Sequence, residues 1–172
     1  MEYFSVIKDA DIFENPVAEP SEYKVRPTAK GIVIDGDEKI ALLHARGHGL
    51  FPGGGIEEGG NAEYAFEREC MEEIGCVVAI NTLLGKVLQF RAEDTKKYEV
   101  HFFVAHVIGE KGKPTSLNQG ELDCVLTWNT KEEVETILEN QLNTIPKDDY
   151  PAQFNCRTHL AAFKKYLEEN KN

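Results

Sequence analysis

The stretch Arg68-Glu69-Cys70-Met71-Glu72-Glu73-Ile74-Gly75, preceded by Phe51-Pro52-Gly53-Gly54-Gly55, decides how this 172-residue chain folds. At about 100° per residue, a helix through the first stretch aims Glu69, Glu72 and Glu73 into one arc of roughly 100°. Like charges that close weaken an isolated helix. The arrangement makes sense if something strongly positive sits among them, and hard divalent cations such as Mg²⁺ prefer carboxylate oxygens. The upstream glycines let the backbone approach a ligand or a metal closely. Glycine loop, helix and carboxylates together read as a metal–diphosphate site. A merely solvated run of Glu is the ordinary alternative, but five fixed identities at this spacing recur by chance roughly once per million windows.

Residues 54–76 resemble the signature of the Nudix hydrolases, G-x5-E-x7-R-E-U-x-E-E-x-G-U, where U is a bulky apolar residue. Gly54 matches the first Gly, Arg68 and Glu69 the R-E pair, Glu72 and Glu73 the E-E pair, and Gly75 the last Gly. Cys70 and Cys76 stand at the two U positions. One position departs: Gly60 stands where the signature has its first Glu, and Glu57 and Glu58 are out of register with it. In the family that Glu supports the metal site rather than being its main ligand, so its loss bears on rate more than on metal binding. The resemblance covers residues 24–140 and implies a single α/β domain over 1–172. The fold it implies is an α/β/α sandwich with a mixed sheet, the acidic metal-binding helix following the glycine-rich loop. Residues 1–22 form a lead segment and 141–172 a C-terminal loop and helix. These flanks are expected to pack as accessory elements or to contribute to a homodimer.

Composition agrees with a compact enzyme. The length suffices for one domain with a full core and is short for two. Thirty acidic against nineteen basic side chains give a net charge of −11. That argues against non-specific binding to nucleic acid or to anionic membranes. It leaves an anionic small substrate open, because bound metals invert the local field. The start of the chain has neither a basic nor an apolar leader pattern, and no apolar run approaches the ~18 residues needed to span a bilayer. A cytoplasmic protein is expected. Cysteines at 70, 76, 124 and 156 show no C-x-x-C pair and no zinc-like spacing, so reduced, buried thiols are expected. The five histidines are scattered and read as structural or solvent-facing, although His44 and His48 lie close to the glycine loop.

Strands are expected at 25–34 and 40–46, pairing as a hairpin across Asp35-Gly36. A helix runs from Asn61, its N-cap, to Ile74, with Gly75 as the stop. Further strands are expected at 77–80, 84–91, 100–107 (buried and central) and 122–128. A polar stretch spans 109–120. Thr130-Lys131-Glu132-Glu133 has the form of a capping box opening a helix with Val134, Ile137 and Leu138 on one stripe. After a loop bearing Pro146 and Pro151, a last helix carries Leu160, Phe163 and Leu167.

The chemistry follows from what a diphosphate requires. Its phosphorus atoms are shielded by negative oxygens, and metal ions bridging those oxygens neutralise them and lower the pKa of a water toward neutrality. The expectation is that Glu69, Glu72 and Glu73 hold Mg²⁺ or Mn²⁺. By resemblance, the Gly53 carbonyl adds a ligand and Arg68 holds a neighbouring carboxylate in its productive orientation. Gly54, Gly55 and Phe90 are expected to contact substrate. In the family the general base is a signature Glu or an acidic residue on a distant loop, for which Glu121 is the leading candidate, before Glu93 and Asp94. The substrate implied is a small nucleotide: a nucleoside diphosphate linked to another group. The marker residues of ADP-ribose, dinucleoside polyphosphate and coenzyme A subfamilies are missing or incomplete. Two other classes compete: a binding or regulatory protein on the same fold, supported by Gly60, and an allylic diphosphate isomerase, whose acid–base groups have no placed counterparts here.

Overall fold

The computed structural model describes residues 3–115 and 124–171. In chain order the elements are β1 (Tyr3–Lys8), a 3-10 turn (Asp9–Asp11), β2 (Lys24–Ile34), β3 (Ile40–Ala45), β4 (His48–Leu50) and β5 (Gly53–Gly55). Then come α1 (Ala62–Ile74), β6 (Val77–Arg91), β7 (Lys96–Ile108), β8 (Val125–Asn129), α2 (Lys131–Thr144) and α3 (Tyr150–Glu169). One mixed sheet has the order β1-β6-β7-β2-β3-β4, with β5 paired to β2 and β8 to β3. Helix α1 covers one face, and α2 with α3 covers the other, giving the expected α/β/α sandwich. Among the described residues no helix is long and apolar enough to cross a membrane.

The period of two along β2 sorts the core. Ala29 and Val33 join Phe66, Cys70 and Ile74 of α1, together with Phe103 and Ala105 of β7. Ile32 and Ile34 face the other way, toward Val134 and Leu138 of α2 and Phe154 and Phe163 of α3. Gly31 lets α1 sit close: a Cβ there would lie 2.4 Å from the Phe66 ring, and that ring stacks on Phe103 with centroids 5.4 Å apart.

Several boundaries agree with the sequence. Asn61 caps α1 by accepting from the amides of Glu63 and Tyr64, and Gly75 ends it at φ 65°. Thr130 and Glu133 form a capping box at α2. Strand β7 lies between β6 and β2, as expected of a central strand. Cys70, Cys76 and Cys156 are buried thiols outside any disulfide.

Elsewhere the structure departs. The expected hairpin of β2 and β3 shrinks to one register pair, Ile34↔Ile40, because β5 occupies the same edge of β2 over Thr28–Lys30. Strand β3 instead turns into β4 through Arg46 and Gly47, both at positive φ, as a twist-compatible two-residue hairpin requires. The two strands expected over 77–91 are one, kinked by irregularities at Ile80/Thr82 and Leu83/Gly85. The lead segment, for which no strand was expected, supplies β1, which pairs parallel to β6. Pro151 lies inside the first turn of α3 rather than in the preceding loop, where its missing N–H has no helical acceptor to lose.

Candidate active site

The register of β5 on β2 fixes where the glycines meet the acidic helix. Thr28, Ala29 and Lys30 pair with Gly55, Gly54 and Gly53, so the glycine strand lies between β2 and the inward side of α1. The Gly53 amide donates to Glu73 Oε2 at 2.7 Å. A Cβ on Gly54 would fall 2.4 Å from Glu69 Oε1, so this contact exists only because residue 54 has no side chain.

Arg68 ties the carboxylates together. Its guanidinium donates to Glu69 Oε1 at 2.7 Å and to Glu72 Oε2 at 3.1 Å, and reaches the Gly55 carbonyl at 3.4 Å. The planar fork permits this double pairing, which a point-charge lysine would not reproduce. Glu69 is buried while Glu72 is half exposed. Burial pushes the Glu69 carboxyl above its ordinary range, and the charge of Glu72 adds to that; Arg68 and Lys30 pull it back.

Lys30 is the residue that sequence reasoning passed over. Its ammonium donates to the Gly53 carbonyl at 2.7 Å. Burial lowers its pKa, against the pull of Glu73 and Glu69. A lysine within an apolar strand gives no signal of its own, because only the β5–β2 register brings it here. His159 of α3 is a second such residue: its Nδ1 accepts from the Phe51 amide at 3.0 Å and so holds the entry to the glycine strand.

The remaining expected residues separate. Gly54 and Gly55 lie in the grouping. Phe90 does not: its ring meets Tyr23 edge-on at 5.3 Å, near the β1 edge, with β7 and β2 between it and β5. Glu93 and Asp94 lie in the β6–β7 turn, where the Glu93 amide donates to the Tyr150 hydroxyl and Asp94 stands 3.9 Å from Arg91. Glu121 falls outside the described residues. His44 binds Thr127 Oγ1 at 2.7 Å, and His48 is buried in β4. Gly60 closes a turn on the Glu57 carbonyl at 2.8 Å, and a Cβ there would stand 2.9 Å from that oxygen. Glu57 and Glu58 are exposed and line an open groove of about 830 Å³ with Arg26, Pro27, Gly55 and His101.

The donor set fits a hard divalent cation: three carboxylates and the Gly53 carbonyl, all oxygen. Among the described residues no three acidic, His or Cys groups converge on one point. Arg68 lies between Glu69 and Glu72, and Lys30 lies at the Gly53 carbonyl, so two protein cations answer the same charges.

A family model described as the NUDIX domain matches residues 24–151. Among solved structures, a MutT protein from Methanosarcina mazei Go1 matches with a TM-score of 0.59 at 17% identity, over 89% of this chain and 100% of that one. A NUDIX hydrolase from Nitrosomonas europaea matches with a TM-score of 0.60 at 20% identity, over 86% and 92%. A MutT NUDIX hydrolase from Burkholderia pseudomallei gives 0.51 at 22%, over 63% and 85%. At such identities the structural likeness shows the fold alone. Among curated proteins none matches.

Proposed function

The chain belongs to the Nudix family, and from that membership we propose that it hydrolyses the diphosphate linkage of a nucleoside diphosphate joined to another group, with the help of Mg²⁺ or Mn²⁺. The observation that carries the reading is the contact between the glycine strand and the acidic helix, Gly53 amide to Glu73 carboxylate at 2.7 Å. It brings the carboxylates of Glu69 and Glu73, with Glu72 one turn away, to a backbone edge that a diphosphate can approach.

In this reading Glu69, Glu72, Glu73 and the Gly53 carbonyl hold the cation. When bound, it neutralises diphosphate oxygens and acidifies a water. Arg68 bridges the Glu69 and Glu72 carboxylates and orients them, as a positioning residue. Lys30 fixes the direction of the Gly53 carbonyl and adds positive charge beside the site. Gly55 leaves space for substrate along the strand, and Gly54 leaves the room that the Glu69 carboxylate takes. Glu121 is the proposed general base, on its position in the sequence.

A second reading is a nucleotide-binding regulator with little turnover, favoured by Gly60 and by the exposure of Glu57 and Glu58. One experiment separates the two. A panel of nucleoside triphosphates, sugar nucleotides, dinucleoside polyphosphates and coenzyme A is tested for phosphate release with Mg²⁺, with Mn²⁺ and with chelator. Metal-dependent cleavage that is lost in Glu72→Gln is expected. Calorimetric nucleotide binding without cleavage would instead support the regulator.

A further inference from the structure

A cavity of about 270 Å³ lies between β2, β6, β7 and α3, on the sheet face opposite α1. In a chain of net charge −11 its lining is anomalous, because it carries three cations: Arg26, Lys30 and Arg91. Arg91 is 4% exposed. Its guanidinium lies 4.2 Å from the Tyr98 ring centroid and donates to Gln89 Oε1 at 2.8 Å and Asn155 Oδ1 at 2.7 Å. The carboxylate paired with it, Asp94, stands 3.9 Å away. Its hydrogen-bond partners are thus neutral, and its charge is only loosely answered.

Counting donors against acceptors shows what is missing. Gln89 donates to Thr158 Oγ1 at 2.7 Å, so Gln89, Asn155 and Thr158 each already accept a hydrogen bond from another side chain. Donors are left over. Thr28 Oγ1 is buried, on a residue 8% exposed, and has no hydrogen-bond partner among the described residues. His159 accepts through Nδ1, which places the proton of its neutral ring on Nε2. Arg26 stands 5.9 Å from the Tyr98 ring centroid, and its charge bears on that of Arg91. Surplus donors and positive charge call for an acceptor-only anion. A nucleobase, which presents donors as well as acceptors, meets this lining poorly.

The volume falls below the roughly 300–1,000 Å³ of pockets that take a whole small molecule, so one group of a larger ligand fits. The Gly54–Gly55 backbone lines the cavity, and Lys30 reaches from it to the Gly53 carbonyl. We propose that the cavity is a subsite for a phosphate group that the substrate carries beside the diphosphate cleaved at α1. The substrate class is then a diphosphate bearing a further phosphate. That phosphate either continues the chain, as in a nucleoside triphosphate, or is a phosphomonoester on the attached group. The word substrate rests on the hydrolase reading; phosphate binding does not.

The probe is inorganic phosphate, titrated calorimetrically into the full chain in chelator without divalent metal. Thr28→Val and Arg26→Gln are each expected to weaken binding roughly tenfold, while Glu72→Gln retains it. No phosphate binding by the unaltered chain, or equal binding by both cavity variants, overturns the proposal. Turnover gives the second arm, using a nucleoside triphosphate and a nucleotide sugar with and without a phosphomonoester. Arg26→Gln should raise KM for a phosphate-bearing compound about tenfold more than for the bare one, and the compound affected identifies the source. Equal effects on all three overturn the substrate class. Phosphate binding with no cleavage of any compound supports the subsite and sinks the hydrolase reading instead.

Discussion

The two sides of the glycine strand Gly53–Gly55 carry opposite charge and were built in opposite ways. Toward α1 stand Glu69, Glu72 and Glu73, from one helix within a span of five residues. Toward α3 stand Arg26, Lys30 and Arg91, with Asn155 and His159, from three elements far apart in sequence. Helical spacing by itself assembles the acidic side. The basic side exists only where β2, β6 and α3 come together. A local site is written in the chain, whereas a composed one is written in the packing.

Substitutions on either side put this contrast to the test. The largest effect is expected from Glu72→Gln. It removes a half-exposed carboxylate, so kcat/KM should fall roughly a hundredfold or more, while stability shifts by no more than about 0.5 kcal/mol. A thermal melt beside steady-state kinetics checks both, and retained turnover would detach the acidic side from catalysis. Arg68→Ala should cost about ten- to a hundredfold in metal-dependent rate, as loss of a positioning partner does. Arg68→Lys should recover little of it, because a lysine lacks the fork that spans Glu69 and Glu72. Titrating Mg²⁺ against rate shows whether the loss is one of metal affinity.

On the basic side, burial, and then the Lys30 ammonium, holds His159 well below 6.5. The folded value lies under the unfolded one, so the unfolded chain takes up the proton first as pH falls. The stability His159 contributes is present above the ordinary histidine range and is lost on going below it. From about pH 7 to about pH 5.5 the loss should be of the order of 1 kcal/mol. Denaturant unfolding across that range should be flatter in His159→Gln, and an unchanged slope would show that the ring is not held neutral. The smallest effect expected is that of Asn61→Ala, which removes the cap of the acidic helix. It should cost about 0.5–1 kcal/mol and leave the phosphate affinity of the α3-side cavity unchanged.

Much of the frame was legible because its signals are local. Asn61 and Gly75 bound α1 through their own backbone and side-chain chemistry, and Thr130 with Glu133 does the same for α2. The five-residue Glu pattern identifies the acidic face by helical geometry, with no reference to the rest of the molecule. Where the reading failed, a competing partner decided. Strand β3 was expected to pair along β2, but β5 takes part of that edge and a single pair, Ile34 with Ile40, remains. Residues 77–91 were expected to break into two strands, but continuous pairing with β7 carries the chain through both irregularities. The lead segment gave no periodic signal because β1 forms by pairing parallel to β6 rather than by any pattern of its own.

The acidic helix and the oxygen donors it offers were fixed by spacings within a few residues, and the sandwich architecture was legible only through the family resemblance that those residues carry. Packing alone brings Lys30 to the Gly53 carbonyl, sets Gly54 against Glu69, and gathers Arg91, Thr28 and His159 around one cavity. Such contacts depend on strand register and on the docking of α3. A register shift of one residue turns every side chain of a strand to the other face, so no local pattern can specify them.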